Sequence, residues 1–293
     1  CVLRRPPTGM VLATAHDMAR EHRIVSAVGK SNVPVPSALG LCEDVEVNDA
    51  PFYVMDYVVG TVLNDAPITE ALLGPKERRA LSEHTVEVLA ELHAIEPADI
   101  GLGDLAKRED YIGRQLKRWQ GQWEKSKTRE LAQMEEVFAG LSEKVPVQVG
   151  AGIVHGDYRL GNMLVNEKGR ILAVLDWELC TLGDTLADVG YLLNNWFQPG
   201  ETSADLQAAF GPTSIGDFST REAFVERYAE LSGRKVTTIN YYRAFQYWRL
   251  AAIVEGVLAR YLKGVMANEA STDVFRAQVD GLANSALELI ETL

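Results

Sequence analysis

The chain is constrained most by residues 153–190, IVHGDYRLGNMLVNEKGRILAVLDWELCTLGDTLADVG. Residues 162–165 and 171–175 are apolar and rich in branched side chains, and the Asn166-Glu167-Lys168-Gly169 link between them carries turn chemistry, with a glycine free to adopt positive φ. This pattern predicts a β-hairpin. Antiparallel pairing sets the outer ends of a hairpin side by side, so Asn162 and Asp176 should meet, where a carboxamide and a carboxylate oxygen can share one Mg²⁺. Asp157, in the loop just upstream, can point into the same space without being a ligand. That suits a base orienting a hydroxyl towards a metal-bound phosphate. The bland reading of Asp157 and Asp176 is a turn former and a strand end; against it, spacing, hairpin and residue types agree. His155 is expected to order the loop by hydrogen bonding.

The rest of the chain sets limits. With 293 residues, 47% hydrophobic and 24% charged, it is long enough for two lobes around one cleft. No apolar run approaches the length that spans a bilayer, so no membrane partner is expected. A net charge of -12 without a basic stripe argues against a nucleic-acid partner, and leaves any anionic nucleotide to be held by local charge and metal. Cys1, Cys42 and Cys180 are odd in number and widely spaced, which predicts reduced thiols in a cytoplasmic setting and no structural zinc.

His155-Gly156-Asp157 with Asn162 downstream, followed by Asp176-Trp177-Glu178, resembles the catalytic loop and metal-binding Asp of the aminoglycoside phosphotransferase and choline kinase-like family. The surrounding HGDYRLGNMLV and LDWELCTLGDTLADVGYLL are most similar to the kinase-like domains related to those fused to acyl-CoA dehydrogenases. The resemblance covers nearly the whole chain. It implies an α+β, protein-kinase-like two-lobe fold: a small N-terminal lobe with an antiparallel sheet and the hinge at residues 1–58, and a large, mainly helical lobe at 59–293. It also implies ATP and Mg²⁺, with Asp157 catalytic, Asn162 and Asp176 as metal ligands, and Asp188 bracing the loop from beneath alongside His155. The family's glycine-rich loop and its flanking strands would precede residue 1, so a truncated small lobe is expected.

Residues 1–4 read as the end of a strand that Pro6-Pro7 stops. Here the family carries a Lys that grips nucleotide phosphates, and Arg4 stands in its place. Arg can hold phosphate bidentately, but it is bulkier and differently hydrated; a solvated strand end is the alternative. Glu21, on a helix expected over 14–28, lies where the family places the acidic partner of that residue, with surface helix pairing as the alternative. Strands are expected at 39–46 and 52–59, and Met55-Asp56-Tyr57-Val58 resembles the hinge, which would set backbone groups of Asp56 and Val58 at the adenine edge.

Helices are expected from Pro75, over 109–124 and over 128–141, with His84 and His93 as packing or surface residues. Trp119 and Trp123 read as one packing face or as a wall of the acceptor pocket. Ser219-Thr220-Arg221-Glu222 is a capping box for a helix ending at Ser232-Gly233. The 238–262 helix carries Arg243, Arg249, Arg260 and Lys263 against one acid, Glu255. These make a solvated face by default; alternatively Tyr242, Trp248 and Arg249 border an acceptor cleft. A closing helix over 271–293 should pack through Val274, Phe275, Val279, Leu282 and Leu289.

The expected activity is transfer of the γ-phosphoryl group of ATP to a hydroxyl of a small-molecule acceptor, with a hydroxy acid or its thioester suggested by the resemblance. The alternatives are aminoglycoside phosphorylation and a pseudokinase that binds nucleotide and signals.

Overall fold

The structure, a computed structural model, describes residues 1–6, 17–201, 211–265 and 271–293. Strands β1 (Val2–Arg4), β2 (Ala38–Cys42) and β3 (Phe52–Met55) form an antiparallel sheet in the order β1-β3-β2. In this register Arg4 faces Tyr53 across the β1-β3 pair. Strand alternation sends both towards helix α1 (Met18–Val28), while Leu3 points outward and is 48% exposed. Asp17 starts α1 by accepting the Arg20 N–H at 2.9 Å, and Ile24, Val25 and Val28 bury its inner face. The part of the expected helix at 14–16 lies outside the described residues.

Two strand expectations change. The run expected over 39–46 ends at Cys42, because Asp44 accepts the Glu46 N–H and caps a short helix α2 (Val45–Asn48). The run expected over 52–59 ends at Met55; after residues 56–60, β4 (Thr61–Val62) leaves this sheet for another.

That second sheet has the order β4-β6-β7, where β6 (Met163–Val165) and β7 (Ile171–Val174) are the expected hairpin. Its turn closes with Arg170 N–H and Lys168 N–H donating to Asn166 Oδ1, each at 3.0 Å. Gly169 sits at φ 69°, and a Cβ there would also strike the Glu77 carbonyl, so the position requires glycine on two counts. Asn162 falls in a 3-10 turn, Leu160–Asn162, rather than in β6, yet Leu175 N–H still reaches its carbonyl at 2.8 Å. A further pair, β5 (Gly152–Val154) with β8 (Thr181–Gly183), brackets the loop from both sides.

The large lobe is helical: α3 (Ala66–Leu72), α4 (Pro75–Ala94), α5 (Tyr111–Ser126), α6 (Ala132–Glu143), α7 (Leu186–Asn194), α8 (Arg221–Ser232), α9 (Ile239–Leu262) and α10 (Thr272–Glu291). Thr220 caps α8, and Gly233 at φ 65° ends it. At the centre, α9 packs on α5, α6, α7 and α10. It therefore buries Tyr241, Tyr242, Phe245, Trp248, Ala251 and Ala252 around most of its girth. This overturns the solvated face for its middle: Arg249 is 8% exposed, and half-buried Arg243 donates to Asn194 Oδ1 at 3.1 Å, leaving only Arg260 and Lys263 in solvent. On α10, Val274 is 46% exposed, against expectation, while Phe275 stacks on Tyr261. Residues 196–211, which Pro199-Gly200 marks in the sequence as a loop-rich segment, are described only outside 202–210. Among the described residues, no helix is long and apolar enough to cross a membrane.

His84 of α4 ties the hairpin to the helix, since its Nδ1 accepts the Ile171 N–H at 2.9 Å. Burial, aided by Arg170, pushes its pKa down to about 4. A folded pKa below the unfolded value of about 6.5 means that the stability is complete above that pH and is lost as pH falls towards 4. Between pH 7 and pH 5 the wild-type chain should therefore lose about 2 kcal/mol more stability than a His84→Asn variant. Denaturant titration at the two pH values checks this, and equal losses would contradict it.

Candidate active site

The loop between β5 and β6 is shaped by one buried carboxylate. Asp188, in the first turn of α7, accepts the His155 N–H through Oδ2 at 2.6 Å and the Gly156 N–H through Oδ1 at 2.8 Å. Gly156 is at φ 85°, and a Cβ would stand 2.9 Å from the Leu179 carbonyl, so no other residue fits the turn. Burial opposes the Asp188 charge, but the His93 hydrogen bond and neighbouring donors outweigh it and lower the pKa.

His155 is fully buried, and burial keeps its pKa below the ordinary range. Its Nε2 donates to the Leu175 carbonyl at 3.0 Å while Nδ1 accepts the Asp157 N–H at 3.2 Å, an arrangement that selects one neutral tautomer. The imidazole thus ties the residue before Asp176 to Asp157.

Asp157 is in turn oriented by its neighbours. Asn162 Nδ2 donates to Asp157 Oδ2 at 2.6 Å and to its carbonyl at 2.8 Å, and Arg159 Nε lies 3.3 Å from Oδ1. The Tyr191 hydroxyl also bonds Asp157, and burial with this carboxylate raises its pKa. The Asp157 side chain remains 19% exposed, so a solute can reach it.

Across a cavity, the small sheet contributes Arg4. Its Nη2 lies 3.0 Å from Asp176 Oδ1 and 3.5 Å from Glu178 Oε2, and its Nε is 3.4 Å from both Glu21 oxygens. Tyr53 O–H donates to the same Glu21 at 3.0 Å. Burial raises the Glu21 pKa despite Arg4; burial also opposes the Arg4 charge, but Glu21 and Asp176 outweigh it and raise that pKa. Arg4, Glu21, Asn162 and Asp176 line this cavity together with an apolar set that includes Val25, Met55, Val174 and Trp177.

The donor set fits a hard cation. Asn162 has its amide nitrogen committed to Asp157, leaving its carbonyl oxygen for the cavity, and Asp176, at φ 65°, ends the hairpin beside it. Among the described residues no group of three or more His, Cys, Asp or Glu is placed to hold a metal alone. Two protein oxygens completed by water and phosphate are a shell that Mg²⁺ accepts.

The sequence-derived residues separate into those brought together and those elsewhere. Asp157, Asn162, Asp176, His155, Asp188, Arg4 and Glu21 converge. Asp56 and Val58 follow β3 outside the cavity lining; Asp56 N–H bonds the Ser37 carbonyl at 2.9 Å. Tyr242 and Trp248 border no cleft, which corrects that expectation: both are fully buried, Tyr242 donating to Asp184 Oδ2 at 2.6 Å and Trp248 Nε1 to the Met134 carbonyl at 3.2 Å. Helical spacing could not separate a cleft wall from a core stripe. Arg249 does reach the loop, donating to the Gly156 carbonyl at 3.2 Å and lying over the Trp119 and Tyr191 rings at 5.4 and 5.9 Å. Trp119 is half-buried there, while Trp123 is core. Sequence reasoning missed Glu178, Tyr53, Tyr191, Arg159 and His93. The position of Glu178, two residues after Asp176, was a readable signal; the others depend on long-range contacts.

The comparisons agree with this geometry. A model of the phosphotransferase enzyme family (APH) matches residues 1–232. Acyl-CoA dehydrogenase family member 10 of Mus musculus is 36% identical over 90% of this chain, which spans 25% of that longer relative. Among solved structures, a Ralstonia eutropha JMP134 protein named after the aminoglycoside phosphotransferases superposes with a TM-score of 0.84 at 29% identity, covering 99% of this chain and 93% of the other. The amicoumacin kinase hAmiN, solved with AMP-PNP and Ca²⁺, shares the fold at a TM-score of 0.60 and 15% identity, covering 99% of this chain and 81% of its own. A protein-kinase-like architecture, with a small antiparallel sheet facing a helical lobe and a loop carboxylate near their junction, thus accompanies a family match over most of the sequence: the chain belongs to the phosphotransferase enzyme family.

Proposed function

We propose that the chain transfers the γ-phosphoryl group of ATP to a hydroxyl of a small molecule, working between a small lobe of residues 1–58 and a large lobe of residues 59–293. The observation that supports this best is that Asn162 and Asp176 line one cavity that Arg4 enters from the other side, while Asn162 also holds the Asp157 carboxylate by a hydrogen bond. The nucleotide complex of the amicoumacin kinase supports ATP as the donor.

Asp157 accepts the proton of the acceptor hydroxyl while that oxygen bonds to the γ-phosphorus and the bond to the β-phosphate oxygen breaks, releasing ADP. Asn162 holds the Asp157 carboxylate in place through its amide and offers its carbonyl oxygen, with Asp176, to Mg²⁺. Mg²⁺ bound with nucleotide supplies neutralisation of phosphate charge. Arg4 exchanges part of its contact with Asp176 for a phosphate, and Glu21 keeps its guanidinium oriented. The apolar wall of Val25, Met55, Val174 and Trp177 takes the adenine, with Asp56 and Val58 contributing hinge backbone groups. The cysteines at 1, 42 and 180 are free thiols, which supports a reducing, cytoplasmic setting.

Two substitutions separate the roles. Asp157→Asn should lower kcat about 10²- to 10⁴-fold with nucleotide affinity nearly unchanged. Asp176→Ala should weaken nucleotide binding itself, and EDTA should do the same to wild type. Calorimetry and steady-state kinetics read both, and nucleotide affinity indifferent to EDTA and to Asp176→Ala would remove the metal assignment.

Arg4→Lys should retain activity, since the same contacts with Glu21 and Asp176 are within reach of an ammonium. Turnover below a tenth of wild type would place the phosphate contact elsewhere.

The acceptor is a neutral or anionic hydroxy compound, a hydroxy acid or its thioester. Arg159 beside Asp157, and Arg249 and Arg118 against the Trp119 ring, set positive charge on the acceptor side, where a polycationic aminoglycoside would meet repulsion. The mouse relative, named as an acyl-CoA dehydrogenase, supports an acyl substrate. A panel of hydroxy acids, amino alcohols and aminoglycosides should show turnover with the first group; turnover of kanamycin-like compounds alone would refute this choice. If no acceptor is turned over while nucleotide still binds, a pseudokinase role is the better reading.

A further inference from the structure

We propose that Arg249 is a specificity-determining residue of the acceptor site, holding the acyl oxygens of the substrate, a carboxylate or a thioester carbonyl, while the substrate hydroxyl faces Asp157. Arg249 leaves the middle of α9 and is 8% exposed. A guanidinium so deeply placed ordinarily meets a carboxylate, because a buried unpaired charge is costly. Arg78 of α4, at the same exposure, has Asp217 at 4.0 Å. Among the described residues Arg249 has no such partner; its hydrogen bonds go to a main-chain carbonyl and a side-chain amide.

A guanidinium carries five N–H groups in one rigid plane. Nη1 and Nη2 both donate to the Gly156 carbonyl, each at 3.2 Å, so the end of the fork is taken. Nη1 also donates to Gln246 Oε1 at 2.8 Å. The remaining edge pairs Nε with Nη2. Nε is a buried atom with no acceptor among the described residues. A planar oxygen group taken by Nε and Nη2 together is the side-on geometry in which Arg holds a carboxylate, and a single carbonyl oxygen can share the same two donors.

Holding the loop does not by itself call for a charge. A neutral amide can donate to the Gly156 carbonyl, and Gln246, one turn away on α9, already uses its amide in this way, Nε2 donating to the Ala187 carbonyl at 2.8 Å. At position 249 the donor is instead a cation with aromatic faces beside it: Cζ lies 5.4 Å from the Trp119 ring centroid and 5.9 Å from that of Tyr191. Such faces offset part of the cost of burying the charge but do not neutralise it. An acyl oxygen would meet the charge and the unpaired Nε–H together.

The position suits the reaction. Gly156, whose carbonyl Arg249 holds, immediately precedes Asp157, and the hydroxyl of Tyr191 bonds the Asp157 carboxylate. One tyrosine side chain thus links the carboxylate to the cation. An acceptor lying along it presents its hydroxyl to Asp157 and its acyl oxygen to Arg249. Trp119 and Tyr191 are both half-buried, so a solute reaches their rings and enters past them, and Arg118 over the Trp119 ring at 5.2 Å adds a second positive charge on that approach.

This inference rests on the phosphotransferase reading for the role of Asp157, and its test keeps the two apart. Three acceptors of one carbon skeleton are compared: a hydroxy acid, its thioester, and the alcohol with a methyl group in place of the carboxyl. Arg249→Gln should lower kcat/KM about 10- to 100-fold for the acyl acceptors and less than about threefold for the alcohol, with KM for ATP within about twofold of wild type. A loss confined to the acid assigns a carboxylate to the subsite, and a loss shared with the thioester assigns the carbonyl. Arg249→Lys keeps the charge without the side-on pair and should lose less than Gln. Should Arg249→Gln fail to fold, Arg249→Lys and Trp119→Leu, the latter removing one aromatic face from a half-buried position, carry the same comparison with smaller losses. Calorimetry with AMP-PNP reads the subsite without turnover: the wild type should bind the acid or the thioester more tightly than the alcohol, and Arg249→Gln should abolish the difference. If that difference is found and no phosphoryl group is transferred, the subsite stands and the phosphotransferase reading falls. Equal losses with acyl and alcohol acceptors in the folded variants, or equal wild-type affinity for all three compounds, would overturn the inference and leave Arg249 as a brace of the loop.

Discussion

The loop between β5 and β6 depends on a carboxylate that never meets solvent. Asp188 is fully buried, a placement that costs several kcal/mol for an unpaired ion and is tolerated here because three N–H donors point at it. Two of those donors are consecutive amides of the loop, which explains why the chain can turn through Gly156 at positive φ without losing hydrogen bonds. The geometry of Asp157 follows from that turn, and that of Asp176 follows through His155. Removing the Asp188 charge would leave two buried amides and an imidazole without an acceptor, so the penalty would be shared across the site.

The second organising contact spans the cleft. Arg4 gathers Glu21, Asp176 and Glu178 around one guanidinium, joining the small sheet, α1 and the end of the hairpin. Each pair is partly exposed and contributes little stability on its own. Its importance is electrostatic: in a chain of net charge -12, three carboxylates around one cavity would repel one another and any anion unless a cation stood among them.

α9 is a core helix that sends one charged residue to the loop between β5 and β6. Arg249 lies between the Trp119 and Tyr191 rings and donates to the Gly156 carbonyl, so its charge is held by aromatic faces and main-chain oxygen, with no carboxylate hydrogen-bonded to it among the described residues. Tyr242 and Trp248, close to it in sequence, are structural. Three residues within two turns of one helix thus divide between core and site according to which side of the helix they occupy.

What the sequence by itself determined was local. Hairpin, loop and strand-end carboxylate follow from short-range turn chemistry and from a spacing that antiparallel pairing converts into proximity, so Asp157, Asn162 and Asp176 could be read before any coordinates. The Glu21–Arg4 pair was readable only as a separation along the chain, with a surface pair as its rival. Tertiary structure alone decided which side of α9 faces the core, that residues 45–48 form a helix, and that His93 of α4 is hydrogen-bonded to Asp188 of α7 and to Tyr228 of α8. Those outcomes depend on contacts between residues far apart in sequence, where periodicity states only that a face is buried and leaves open what it is buried against. A histidine in an apolar helical stripe looks like packing until the carboxylate opposite its ring is known.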